Sequence, residues 1–447
     1  MGVEIESDIW EPNPALYIFL FVCCCLSIFY LPARATASNV FDHASSASFL
    51  RFQRNFLVLF ALSSVLEGSR AVFGEYEFAI YKLTKDQMVN TLCIGYAASV
   101  LAGSFLGVVS DLLGHKKVVL LFCILHLCTS VWKIVVGAQV IWLGTITLSV
   151  ASLIFSFSFE ALMVVEHNKL GQRQDSLNDM FWLMTFFECA CFVGSQAIGN
   201  YLINGDVNKN ITNIWKESVV VALLIIVHLS RSWKENPKSA SFKDYSVLFR
   251  RHVVGDKRVW LLSWVQACIH FSTAAFWILW APTIVADGRE VSLGLLYPCL
   301  LGFKMLGCTG FPWMSHGPLA TRIEEYLMYA FVVIGVALTV VAYDYQEIEF
   351  LLIIFCLLHA CIGLVLPSLA RLRSVCVPNE IRGGMMSLSL VPANAAVFVM
   401  LLLRGYYQCI GNSTILAIAA LGQFSAAWCM YTMKKWGKQL HLSEHSL

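Results

Sequence analysis

What this chain can fold into is constrained most by a succession of apolar stretches, each near the ~20 residues a helix needs to cross a bilayer. They fall at about 15–31, 55–74, 89–110, 118–137, 140–165, 179–203, 217–230, 259–286, 291–313, 323–342, 350–369, 385–403 and 413–433. Backbone N–H and C=O groups find no water in hydrocarbon, so stretches in such number fold as helices. Composition agrees: 58% of the 447 residues are hydrophobic and 13% are charged, where a soluble protein carries roughly 25% charged residues. Mean hydropathy is +0.69. A net charge of +2 leaves no basic excess for nucleic acid and no acidic excess for a solvating tail. The 16 cysteines include no C-x-x-C pair, and most lie inside apolar runs, as Cys23, Cys24 and Cys25 do. They read as packing residues, with no metal and no disulfide assigned. The predicted fold class is an all-α polytopic membrane protein.

The first stretch is not a signal peptide by its flank, which holds Glu4, Glu6, Asp8 and Glu11 with no Lys or Arg. It is expected to be an extra transmembrane helix ahead of twelve others. With the acidic N-terminus outside, 22 of the 31 Lys and Arg residues fall in loops on the cytoplasmic side and 7 on the other, as the positive-inside rule requires. The two N-x-S/T sequons, at Asn210 and Asn412, both fall in loops assigned to the outside and are glycosylation candidates. A polar stretch near 231–258 divides the twelve later segments six and six. Adding 203 maps Phe56 onto Val259, Gly107 onto Gly310 and Gly114 onto Gly317, which suggests two parallel halves related by an axis along the membrane normal. The expected organisation is therefore 1–47 (acidic outer N-terminus, extra helix and short linker), 48–231 (first six-helix bundle), 232–258 (basic cytoplasmic loop), 259–433 (second bundle) and 434–447 (cytoplasmic tail).

Between two early segments runs Gly107-Val-Val-Ser-Asp111-Leu-Leu-Gly114-His-Lys116-Lys117. Gly107 permits close helix approach and Gly114 a tight turn. Asp111 can accept hydrogen bonds from a neighbouring helix N-terminus, and Lys116 and Lys117 can anchor the loop at lipid headgroups. The run resembles the G-x-x-x-D-x-x-G-x-[RK]-[RK] signature of the major facilitator superfamily. The resemblance implies a fold of 6+6 helices and a latch between halves that stabilises the outward-open state. The second-half counterpart, Gly310 to Gly317, carries Met314 where the acid would be. Further stretches are similar to the eukaryotic, plant-type molybdate-anion transporter family: Ser48-Phe49-Leu50-Arg51-Phe52-Gln53, Phe157-Ser158-Phe159-Glu160-Ala161, Asp256-Lys257-Arg258-Val259-Trp260, Trp280-Ala281-Pro282-Thr283, Leu366-Pro367-Ser368-Leu369-Ala370-Arg371 and Val377-Pro378-Asn379-Glu380-Ile381-Arg382-Gly383-Gly384. Molybdate as cargo is what that resemblance implies.

An ionisable side chain at the bilayer centre costs ~2.5–3.5 kcal/mol on insertion scales, so each such group demands a partner or a wet cavity. Glu67 and Arg70 lie three apart on one helix face and can pair. Arg70 and Lys304 read as the only basic residues inside spans, one per half, and with Glu67 they are the candidate substrate-binding residues. A dianion stripped of water needs fixed positive charge and N–H donors. Glu160 and Glu188 are proton-coupling candidates, with a buried helix–helix hydrogen bond as the alternative for Glu160. His126, His270 and His359 read as core residues.

No nucleophile motif, phosphate-binding loop or metal-ligand cluster occurs. The expected function is thus non-enzymatic and needs no cofactor: secondary active transport of molybdate by alternating access, in a monomer embedded in lipid, at the plasma membrane or otherwise an endomembrane. The rival readings are a carrier of another anion or organic solute, and a receptor or scaffold that keeps the fold.

Overall fold

The structure is a computed structural model. It describes residues 10–30, 43–137, 141–171, 174–203, 207–232, 242–285, 290–316, 321–343, 347–407 and 409–444. The acidic residues 1–9, the linker at 31–42, residues 233–241 of the polar stretch, and Gly317 lie outside the described residues. Fifteen α-helices follow one another among them: α1 Pro14–Phe29, α2 His43–Ile80, α3 Lys85–Gly103, α4 Leu106–Leu113, α5 His115–Val136, α6 Ile141–Lys169, α7 Gln174–Ile203, α8 Val207–Ser232, α9 Phe242–Phe249, α10 Lys257–Ile284, α11 Leu293–His316, α12 Ile323–Ala342, α13 Ile348–Cys376, α14 Arg382–Leu401 and α15 Asn412–Glu444.

Local chemistry sets several of the ends. Asn13 accepts from the Ala15 N–H ahead of Pro14, whose missing N–H costs nothing in a first turn. Thr84 and Gln87 form a reciprocal capping box at α3. Asp256 caps α10. Gly114 takes φ +106, the left-handed turn that lets α5 follow α4 directly.

Among the described residues, eleven helices are long and apolar enough to span a membrane, and α3 with α4, bent by 42° at Ser104 and Phe105, make a twelfth. At 16 residues, α1 is shorter than these spans. Its length of about 24 Å falls below the ~30 Å hydrocarbon core. It lies along α11, where Tyr17 donates to the Leu295 carbonyl (2.8 Å) and Ser27 to Thr309 Oγ1 (2.6 Å), and it turns Ile18, Phe19, Phe21 and Phe29 outward. These exposed apolar side chains fit lipid as the surrounding solvent.

Within the first six spans, α2 packs on α7 and α8, and α5 on α6 and α8; within the second six, α11 packs on α13, and α12 on α13 and α15. Two seams join the sets, α3 and α4 against α14, and α7 against α11. Phe56, Phe60, Phe122, Phe155 and Phe159 fill the first set with rings 5.3–6.1 Å apart. In the second set Phe276 meets Phe355 at 4.8 Å and His359 at 4.7 Å.

Helix α11 crosses α13 backbone to backbone. A Cβ on Gly307 would strike the Ala360 carbonyl, and one on Gly363 the carbonyl of Lys304. Gly363→Ala is therefore expected to destabilise the protein by about 1–3 kcal/mol through overpacking. Gly194→Ala, with nothing within 4 Å of the new methyl, should be neutral or stabilising by up to ~1 kcal/mol. Thermal unfolding in detergent reads the opposite signs.

Candidate functional site

Four cations within the spans are each paired with a carboxylate, and the pairs differ in which helices they join. Two pairs stay inside the first six spans. Arg70 donates to Glu67 at 2.5 Å on the same face of α2, while His126 on α5 stands 3.8 Å from the other Glu67 oxygen. Lys133 on α5 donates to Glu77 on α2 at 2.6 Å and sits 4.0 Å over the Trp215 ring. The other two cross between the sets. Lys304 on α11 donates to Glu188 on α7 at 3.0 Å, with side chains 13% and 24% exposed. Arg373 on α13 grips both carboxylate oxygens of Glu160 on α6, and a third of its N–H groups donates to Gln266 on α10.

Among the described residues no hydrogen bond or ion pair joins Arg70 to Lys304; each is held by its own carboxylate. Nor are these two the only basic residues inside spans. Lys133, inside the 118–137 stretch, and Arg373, just past the 350–369 stretch, lie within α5 and α13 and are each 5% exposed. Helix α13 continues past its apolar run at 350–369 to Cys376 and stops before Pro378, a residue that ends helices by restricting the one before it. The proline was the legible signal for Arg373. Glu77 escaped notice because α2 runs on to Ile80.

An aromatic cluster joins α10, α11 and α13. Trp277 on α10 lies 5.4 Å from Tyr297 on α11 and 5.3 Å from His359 on α13, and His359 gives its Nδ1 proton to the Phe355 carbonyl at 2.8 Å.

Toward one end of the bundle the two sets are fastened. Asp111 Oδ1 accepts from the Gly383 N–H at 2.9 Å, and Oδ2 from the Gly384 N–H at 2.7 Å. The carboxylate thereby caps the N-terminus of α14, where free N–H groups and the helix dipole favour an anion. Tyr245 on α9 donates to the same Oδ2 at 3.0 Å. The described part of the connector is thus docked onto the seam. Gly107 is obligatory here, since a Cβ would strike the Gly383 carbonyl. Ser387 donates to the Gly103 carbonyl (2.7 Å) and Asn168 to Asn379 (3.2 Å). Lys116 is half-buried and Lys117 exposed. In the second set Gly310 and Met314 lie within the unbroken α11. At the opposite end, Asn210 falls in the first turn of α8 and Asn412 begins α15, so both sequons share an end but start helices instead of lying in loops.

Bundles of six and six spans meeting at an interface with sparse paired charges define a transporter of the major facilitator fold, an integral membrane protein. A family model described as sugar transporters with 12 transmembrane segments matches residues 16–352, and the chain belongs to that family. It is similar to the molybdate-anion transporter of Xenopus laevis, 24% identical over 399 residues and covering 83% of this chain and 84% of the relative. The Xenopus tropicalis molybdate-anion transporter is 24% identical over 429 residues, 91% of each chain. Among solved structures, the fold is like that of the human organic anion transporter MFSD10, with TM-score 0.65 and 12% identity over 85% of this chain and 99% of that one. The proton:xylose symporter XylE gives TM-score 0.66 and 12% identity over 85% and 95%.

The Asp111 cap generates a graded test. Asp111→Ala leaves both glycine N–H groups open and is expected to cost about 0.5–2 kcal/mol at the seam. Tyr245→Phe removes one hydrogen bond, about 0.5–1.5 kcal/mol. Hydrogen exchange at Gly383 and Gly384 should quicken in that order. Burial and the adjacent Asp111 carboxylate push the Tyr245 phenol above the ordinary tyrosine range. An acid whose folded pKa is raised stabilises below the unfolded value and loses that contribution as pH rises. The protection of Gly384 should therefore fall above about pH 10, and this fall should vanish in Tyr245→Phe.

Proposed function

We propose that the chain is a secondary active transporter of molybdate, binding the oxyanion between its two sets of six helices. The observation that carries this reading is the Lys304–Glu188 pair, a cation near mid-helix held at 3.0 Å by a carboxylate on the facing set. The names of the relatives supply the cargo. A tetrahedral dianion competes with Glu188 for the ammonium, and rocking of one set against the other breaks the same contact, so binding and movement act on one bond. Arg70, 31% exposed beside Glu67, is the second cation assigned to the cargo's path. Glu188, and Glu160 likewise, are assigned as the sites where a proton would travel with the anion.

The Asp111 end is assigned to the cytoplasm from the excess of Lys and Arg in that set of loops. The monomer is assigned as the working unit, and the plasma membrane as its place. The cap on α14 then works as the latch that keeps this end closed while the other is open.

Uptake of labelled molybdate by proteoliposomes tests the reading. Wild type should accumulate the anion, with competition by tungstate and sulfate and none by fucose or xylose. Removing one member of a buried, hydrogen-bonded charge pair costs ~2–5 kcal/mol of binding, so Lys304→Gln should lower the apparent affinity at least tenfold. Inhibition by the sugars with no molybdate flux, under a proton gradient of either sign, would instead favour an organic solute.

A further inference from the structure

The bridge near the Asp111 end holds more positive charge than its partners use. Arg382, at the start of α14, is 1% exposed. One of its nitrogens, Nη2, donates to the Val377 carbonyl (2.8 Å), the Asn379 side chain (3.2 Å) and the Ser374 carbonyl (3.4 Å). Its Nε and Nη1 are buried and, among the described residues, make no hydrogen bond. The Ser374 contact fastens this guanidinium to the residue next to Arg373. Gln266, Arg373 and Arg382 all belong to the second set of helices. Glu160 alone comes from the first, and it takes two N–H groups of Arg373 in the forked geometry that guanidinium offers to carboxylate and to other oxyanions alike.

Opening this end separates α6 from α13 and withdraws Glu160. Two neighbouring guanidinia then remain on one rigid body without the carboxylate that bridged Arg373, and the carboxylate of the same set acting on Arg382 is the exposed Glu380, so the opened site favours the entry of another anion. We propose that Glu160 keeps the place of the cargo: Gln266, Arg373 and the unused N–H groups of Arg382 form a second site for a tetrahedral oxo-dianion, filled by Glu160 while the Asp111 end is closed and by the anion once it opens. The charges match, two cations to a dianion, as they do not for a single carboxylate. The site is distinct from the Lys304 site in depth and in residues. This inference rests on the anion-transport reading and adds to it a stop on the cytoplasmic side.

Calorimetric titration of molybdate into the purified full-length protein tests it. Glu160→Gln keeps the shape and the hydrogen-bonding oxygen but removes the competing charge, and should create a binding event at least tenfold tighter than any in wild type. Adding Arg373→Gln to that variant should abolish the event, whereas adding Lys304→Gln should leave it. A bridge that serves only as a clamp predicts that Glu160→Gln and Glu160→Gln/Arg373→Gln behave alike, since both lack the ion pair and both keep an amide contact. Thermal unfolding of each variant checks that the fold is retained. Molybdate binding by wild type with no gain in Glu160→Gln, or a gain that survives Arg373→Gln, overturns the second site and leaves the transport reading standing. Absence of binding in every form overturns both.

Discussion

A charged group surrounded by hydrocarbon must carry its own counter-charge, and that requirement organises this protein more than any packing detail. Four cations within the spans are each paired with a carboxylate: Arg70 with Glu67, Lys133 with Glu77, Lys304 with Glu188, and Arg373 with Glu160. The first two pairs lie within one set of six helices and survive any rigid movement of that set. The last two span the interface and cannot. A protein that works by rocking two bodies has to keep the charges of each body compensated in every state, and the pairs that cross the interface are where that compensation changes hands.

The rest of the interface is built to come apart. Its fastenings toward the Asp111 end are hydrogen bonds of backbone N–H groups to Asp111, of Ser387 to the Gly103 carbonyl, and of Asn168 to Asn379. Close approach there is permitted by Gly107. Such contacts are individually modest, near ~1 kcal/mol each in net terms, and their loss leaves groups that water can satisfy once this end opens. Large interdigitated aromatics, by contrast, lie within each set, as the phenylalanine stack of α2, α5 and α6 does. Aromatic packing inside the bodies and modest hydrogen bonds fastening the Asp111 end fit the mechanical division that alternating access requires.

Much of this architecture was legible in the sequence because hydrocarbon imposes a simple rule on long stretches of chain. The apolar runs located every span, and the Gly107–Lys117 motif marked the seam before any coordinates. What stayed hidden depends on where helices end and which side chains meet at great separation. Arg373 read as a loop residue because charge and apolar periodicity fade together near a membrane surface, although Pro378 marked the true stop of α13. Its partner Glu160 is 213 residues away, a separation at which only the assembled fold decides contact. Lys304 and Glu188 were both singled out as unusual charges, yet nothing in a linear pattern says that the two face each other. The composition of α1 is that of a full span; its length, set by Pro14 and the end at Phe29, separates it from the others.

The central claim is that cargo and carboxylate exchange places on a cation lying between the two bodies. Crystals grown in tungstate, a heavier tetrahedral dianion whose anomalous scattering marks its position without a model, test that claim most directly. A tungsten peak within hydrogen-bonding distance of Lys304 Nζ, with the Glu188 carboxylate turned away, is the predicted result. An intact contact between Lys304 and Glu188 with tungsten bound only on the outer surface would contradict it.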